Sequence, residues 1–356
     1  MTAAEIDADR LVSDALLCMD TYLGHRRTER IAGRLRRWNL GRLLAKFDRQ
    51  HGPEGPAPEA VPMRQSLSPE EFARAYRRPG RPVVIRGFAA DFPAVSRWSP
   101  EFFRRRYRDL PVLAVDGAHR EKIDPESGSA EFRTEEMTVG EQVDRMLAGA
   151  TDYVSFFGDV FSHDPTLCAD IPIAELDPLL ARNRFSARPL FKLFMGGDGT
   201  STTWHCAELQ NLFVQIHGRK DWVLAPPAST PCLDPRITGW GQQYCHSMID
   251  FRNPDLARFP LYRHAKLFHT TLEPGDVLYI PPFWWHYVVN PGVSIGLALW
   301  WPNVLPALRA HPALFFLTVL SPQHLVRRGW EWLRRRDSQT QVSTASVLHP
   351  HADRSA

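Results

Sequence analysis

Between residues 190 and 301 the chain alternates short apolar runs with turn residues. The runs fall at 190–195, 205–216, 222–225, 266–271, 276–280, 287–289 and 293–301, with glycines, prolines and polar residues between them. Many short strands at close intervals predict a sandwich, jelly roll or barrel. Upstream the rhythm is mixed. β-rich runs at 81–87, 110–115 and 152–157 alternate with helical patterns at 98–107 and 135–147. A further helix starts at Ser68, where a serine cap precedes Pro69, Glu70 and Glu71.

Both ends of the chain read as helical. Ile6, Leu11, Ala15, Leu16, Met19 and Leu23 recur at helical spacing over residues 5–23. Ile31, Leu35, Trp38, Leu43, Leu44 and Phe47 continue as a second amphipathic segment with an arginine-rich side. The pattern divides the chain into a basic helical segment (1–50), a Pro/Gly-rich linker (51–65), a β-rich domain (66–302), C-terminal helices (303–336) and a polar tail (337–356) expected to be disordered. No internal repeat is visible.

Composition narrows the class. The 356 residues are 44% hydrophobic and 23% charged, enough for a sizeable core, and the net charge of +3 is too mild to imply nucleic-acid binding. Five cysteines, Cys18, Cys168, Cys206, Cys232 and Cys245, are odd in number and never spaced C-x-x-C, which favours free thiols in a reducing compartment. The acidic N-terminus carries no apolar signal core, and no apolar run is long enough to span a bilayer. A cytoplasmic protein is expected. The basic helix around Arg26 to Arg42 suits an acidic partner, a membrane surface or nucleic acid.

Candidate chemistry sits at His205-Cys206-Ala207 and, about eighty residues on, at His286. A His-x-Asp/Glu with a distant His is the facial arrangement that holds Fe(II) in β-barrel oxygenases. Alternate side chains of a strand share a face, so His205 and Ala207 point one way and Cys206 and Glu208 the other. Glu208 is therefore no ready substitute for the carboxylate that Ala207 lacks, and Cys206 reads as a small buried hydrophobe.

The surrounding residues resemble a known family. The segments are Gly199-Thr200-Ser201-Thr202-Thr203-Trp204-His205, then Gln210-Asn211-Leu212-Phe213 through Gly218-Arg219-Lys220, then Asn253-Pro254-Asp255, and the more specific block Pro274-Gly275-Asp276 through Trp284-Trp285-His286. They resemble the cupin-like, JmjC-type oxygenases that use Fe(II) and 2-oxoglutarate, with the asparaginyl hydroxylase of hypoxia-inducible factor as a close pattern. The resemblance implies a double-stranded β-helix with helical additions at both ends. It implies His205 and His286 as iron ligands and Lys220, Thr202, Tyr153 and Asn211 as residues around 2-oxoglutarate. It also implies a peptide, protein or small-molecule substrate and a homodimer through the C-terminal helices. Trp284 and Trp285 are expected to pack around the second histidine.

Ala207 departs from the family pattern and leaves three readings. One is hydroxylation with water or another side chain completing the site. Another is halogenation, with chloride or bromide beside Ala207 restoring the lost negative charge. The third is a non-catalytic binding protein.

Overall fold

The computed structural model describes residues 8–116, 122–123, 130–131, 134–154, 159–180, 190–237 and 244–320. Eight strands build the centre: β1 (Leu190–Gly196), β2 (Ser201–Ala207), β3 (Leu209–His217), β4 (Lys220–Ala225), β5 (Phe268–Leu272), β6 (Val277–Ile280), β7 (Trp285–Val289) and β8 (Ser294–Pro302). They divide between two sheets in the orders β5-β4-β7-β2 and β6-β3-β8-β1, with every neighbour antiparallel. This is the double-stranded β-helix expected of the pattern. Shorter strands extend the first sheet to seven strands and the second to nine.

The stretch from His205 to Lys220, which reads as one continuous strand, is in fact two. It leaves the seven-stranded sheet after Ala207, turns at Glu208, and enters the nine-stranded sheet at Leu209. Alternation along β3 then serves two cores. Phe213 points between the sheets, while Leu212, Val214 and Ile216 point to the outer face of the nine-stranded sheet. Both faces are covered, which explains the near-continuous apolar run.

Three apolar clusters follow from this layering. The inner one lies between the sheets and contains Phe194, Phe213, Trp222, Leu224, Leu272, Leu278, Ile280, Trp284, Val288 and Ala298. The outer face of the nine-stranded sheet is covered by the segments between residues 69 and 180, with Phe72, Trp98, Phe103 and Met146 in its core. The outer face of the seven-stranded sheet is covered by α1 (Ala8–Leu23) and the chain after Pro302, through Leu17, Ala307, Leu314 and Phe315.

Other sequence expectations shift in detail. Residues 135–138, expected as the start of a helix, are the end of a strand, Thr134–Thr138, paired with Pro111–Asp116. The helix begins at Val139, because the Thr138 hydroxyl accepts from Glu141 N–H while the Glu141 carboxylate accepts from Thr138 N–H. Ser68 caps its helix as expected, accepting from Glu71 N–H. Residues 59–60 and 63–64, within the stretch that reads as a linker, add a strand to each sheet. The C-terminal helical pattern opens with Val304–Ala310 and Pro312–Phe315. Its continuation beyond residue 320, the tail and residues 155–157 lie outside the described residues. Among the described residues no helix is long and apolar enough to cross a membrane.

Candidate metal centre and cosubstrate pocket

His205 lies on β2 and His286 on β7, directly opposite one another in the antiparallel register. Opposed residues share a face, and here the ring centroids are 4.0 Å apart. The Nδ1 of His205 lies 2.8 Å from the Thr203 carbonyl, and that of His286 lies 3.0 Å from the Trp284 carbonyl. A carbonyl can only accept, so each Nδ1 carries the proton and each Nε2 keeps its lone pair for a ligand. Burial, and then the proximity of His205, hold the His286 pKa well below its ordinary value. A neutral imidazole is the ligating form.

A bulge prepares this geometry. Thr202 is opposite Val288 and His205 is opposite His286, so β2 fits two residues where β7 has one. Strict alternation would send Thr202 and His205 to opposite faces. The extra residue brings both to the inner face and turns Trp204 and Cys206 outward into the core under α1. Cys206 is opposite Cys245, and burial raises its thiol pKa well above the ordinary value. Glu208 sits in the bend after β2, and the charge of its carboxylate adds a smaller part to that rise. The Ala207 carbonyl accepts a 2.7 Å hydrogen bond from Phe283 N–H, which ties β2 to the turn that delivers His286. Among the described residues no group of three or more His, Cys, Asp or Glu side chains is arranged to hold a metal ion. The centre is an imidazole pair with a methyl group where a third ligand would project.

Lys220 opens β4 and is 1% exposed. It follows a tight turn at Gly218, whose φ of +65° and closeness to the Val293 carbonyl admit no side chain. Gln215 braces the same turn, its amide donating to the carbonyls of His217 and Gly218 and to Ser294 Oγ. Lys220 Nζ donates to Asn290 Oδ1 at 2.6 Å, and Asn290 in turn donates to Thr200 Oγ1 at 2.7 Å. Burial lowers the lysine pKa to about 7.

Thr202, Val288, Trp222 and Thr270 form one row across the inner face of the sheet. Asn211 faces them from β3, between Ile280 and Trp300. Thr202 Oγ1, Trp222 Nε1, Thr270 Oγ1 and Asn211 Oδ1 are buried with no hydrogen-bond partner among the described residues. Unsatisfied buried polar atoms are unfavourable by roughly 1–3 kcal/mol each, so this concentration fits a polar ligand. A buried ammonium with hydroxyl and indole donors near it suits a carboxylate. The residues present therefore fit a divalent metal on the imidazoles and a dicarboxylate reaching Lys220.

Tyr153, the remaining residue expected around the cosubstrate, lies on the short strand Asp152–Val154 beside Gly196 of β1, and its side chain falls outside the described part. The tryptophans preceding His286 part company. Trp284 reaches into the inner cluster and donates to the Gly80 carbonyl, while Trp285 points outward and donates to Thr230 Oγ1. Asp276 of the Pro-Gly-Asp block is structural: its carboxylate accepts from the backbone of Gly87 and Glu273 and pairs with Arg86.

Several residues escaped the sequence reading. His246 is opposite His205 on the strand Tyr244–Ser247, 1% exposed, with its ring stacked at 6.3 Å from that of His205. Trp222 links the two halves of the site, 5.8 Å from His286 and 4.8 Å from Phe213 between ring centroids. Strand alternation from His205 and Lys220 pointed to the inner face. It could not show which later strand would pair beside β2.

The cupin-like domain family matches residues 69–305. Among curated proteins, the chain is 29% identical over 264 residues to an HSPB1-associated protein 1 homolog of Danio rerio, covering 66% of this chain and 55% of that protein. It is 28% identical over 248 residues to lysine-specific demethylase 8 of Xenopus tropicalis, covering 68% and 53%. It is 26% identical over 250 residues to Jumonji C domain-containing protein 5 of Drosophila melanogaster, covering 68% and 59%. The chain thus spans a little over half the length of these relatives.

Proposed function

The chain belongs to the cupin-like family of JmjC-type proteins, whose members are Fe(II)/2-oxoglutarate oxygenases, and on that premise we propose that it is such an oxygenase, hydroxylating an unactivated C–H bond of a peptide or protein side chain or a small metabolite. The observation that carries this reading is the pairing of two opposed imidazoles with a buried lysine on the same inner face of the barrel. Bound iron with 2-oxoglutarate would activate O2, the oxidant for that chemistry, while 2-oxoglutarate is oxidised to succinate and CO2.

The chain's own residues supply binding, orientation and dryness. His205 and His286 would present Nε2 to the metal, with their rings held by the Thr203 and Trp284 carbonyls. Lys220 would receive the distal carboxylate of the cosubstrate, and Thr202 could donate its hydroxyl to the same group. Asn211 lines the pocket from the facing sheet. Phe194, Phe213 and Trp222 put apolar surface between the sheets, which would strengthen a lysine–carboxylate attraction by excluding water.

One observation favours a second reading. Ala207 shares the inner face with His205 and brings only a methyl group there. A halide beside the Ala207 methyl would restore the negative charge that a carboxylate would have brought, so a halogenase is the alternative. Incubation with Fe(II), 2-oxoglutarate, O2 and candidate substrates tests both readings. Succinate release that disappears in Lys220→Glu supports the oxygenase, and its absence with every substrate supports a binding protein. A halogenated product that forms only with chloride or bromide selects the halogenase.

A further inference from the structure

Helix α2 (His25–His51) carries eight arginines and Lys46 against only Glu29 and Asp48. Its 27 residues run for about 40 Å. One side is occupied. Thr28, Ala32, Asn39 and Leu43 are buried, Asn39 donates to Ser13 of α1 at 3.0 Å, and Arg36 pairs with Asp20 of α1 at 2.8 Å. The opposite side is not what a solvated charged face would be. Ile31 is 70%, Trp38 50% and Leu35 42% exposed, in a stripe at helical spacing. Arg27, Arg34 and Arg42 share that face and Arg30 flanks it, all exposed, with the Arg42 guanidinium 4.5 Å over the Trp38 ring. Tyr22 and Leu23, at the end of α1 before the turn, are exposed as well.

The geometry points to this face of α2 as a docking surface for an anionic lipid bilayer. Apolar side chains interleaved with arginines on one convex helix match an interface where hydrocarbon and phosphate lie a few ångströms apart. Isoleucine, leucine and the tryptophan ring enter the boundary region while the arginines extend to the headgroups. A second copy of the chain would set arginine against arginine. A nucleic acid would satisfy the charge and leave Ile31, Leu35 and Trp38 in water. The surface is separate from the imidazole pair, and its role does not depend on the oxygenase reading.

Co-sedimentation of the full chain with phosphatidylcholine vesicles, and with 3:1 phosphatidylcholine:phosphatidylglycerol vesicles, tests it at low and high salt. Binding is expected to the anionic vesicles only and to weaken as salt rises. Replacing Ile31, Leu35 and Trp38 together by serine should reduce the partition coefficient at least tenfold without lowering the melting temperature. Replacing Arg27, Arg30 and Arg34 by glutamine should weaken it by about fivefold per residue. If the triple serine variant melts lower, Trp38→Gln alone provides the test, with a several-fold loss expected. His205→Ala should bind vesicles as the parent does. Equal binding to neutral and anionic vesicles overturns the proposal. So does unchanged binding after loss of the apolar stripe, or displacement from anionic vesicles by equimolar polyglutamate or duplex RNA.

Discussion

His205 and His286 are cross-strand partners whose rings lie 4.0 Å apart, and each is held by the carbonyl of the residue two positions before it. Such holding is the usual support of a metal-ligating imidazole, fixing both tautomer and ring orientation. Replacing either histidine by alanine is therefore expected to weaken Co(II) or Fe(II) binding at least about 100-fold, given that lost supporting contacts alone weaken metal sites 10–100-fold. Calorimetric titration reads this. A variant that binds metal like the parent would remove the pair from the centre.

Ala207→Asp should do the opposite. Its side chain projects from the same face as His205, so a carboxylate there completes a two-histidine, one-carboxylate set. We expect metal affinity to rise by one to two orders of magnitude, on the same scale of ligand effects, and any chloride dependence to vanish. Unchanged affinity would mean that position 207 does not face the metal.

Binding of 2-oxoglutarate should depend on pH through Lys220. Burial brings the free lysine to a pKa of about 7, and a bound dicarboxylate favours its charged form. Affinity is expected to be level below about pH 7 and to fall towards tenfold per pH unit above it. Lys220→Met should bind weakly at every pH. The same shift fixes a sign for stability. The folded pKa lies below the unfolded value, so between about 7 and 10.5 the unfolded chain holds the extra proton and ligand-free stability rises with pH. Chemical denaturation of the parent and Lys220→Met across pH 7–9 separates the lysine's contribution from the rest.

Gly296 leaves room for the Phe213 ring. A Cβ at position 296 would stand 2.3 Å from Phe213 Cζ, and Phe213 packs edge-on against Trp222. Gly296→Ala is expected to destabilise the fold by about 1–3 kcal/mol, as overpacking does. Adding Phe213→Leu should recover part of the loss, which a denaturation double-mutant cycle measures. Additive effects would show that the two positions do not meet.

Much of the architecture was legible in the residues, for definite reasons. The strands at 190–195, 222–225 and 293–301 carry enough β-branched and aromatic residues between Gly and Pro turns to announce themselves. Alternation places Ala207 on the face of His205, but it stops at Glu208, where β2 has ended and the chain turns. The bulge between Thr202 and His205 was not legible, because Thr203 and Trp204 carry no glycine or other local mark of it; the extra residue is defined only by the partner strand. The corner at Glu208 was hidden for a related reason. Strands on both sides of it are apolar, and only the pairing of β3 with β6 and β8 shows that the chain has changed sheets. The link from Lys220 to Asn290 joins residues seventy positions apart, and Asn290 reads locally as turn punctuation before Pro291. His246 stands beside His205 only because a later strand pairs with β2.

Under the proposed function, two imidazoles and one buried lysine would hold iron and 2-oxoglutarate inside the barrel. Anaerobic calorimetric titration of Fe(II) into the full chain, with saturating 2-oxoglutarate present, tests it most directly. One equivalent of bound iron is expected, with affinity that drops sharply when 2-oxoglutarate is omitted and is lost in His205→Ala and His286→Ala. Absence of stoichiometric binding, or binding indifferent both to 2-oxoglutarate and to the two histidines, would contradict it.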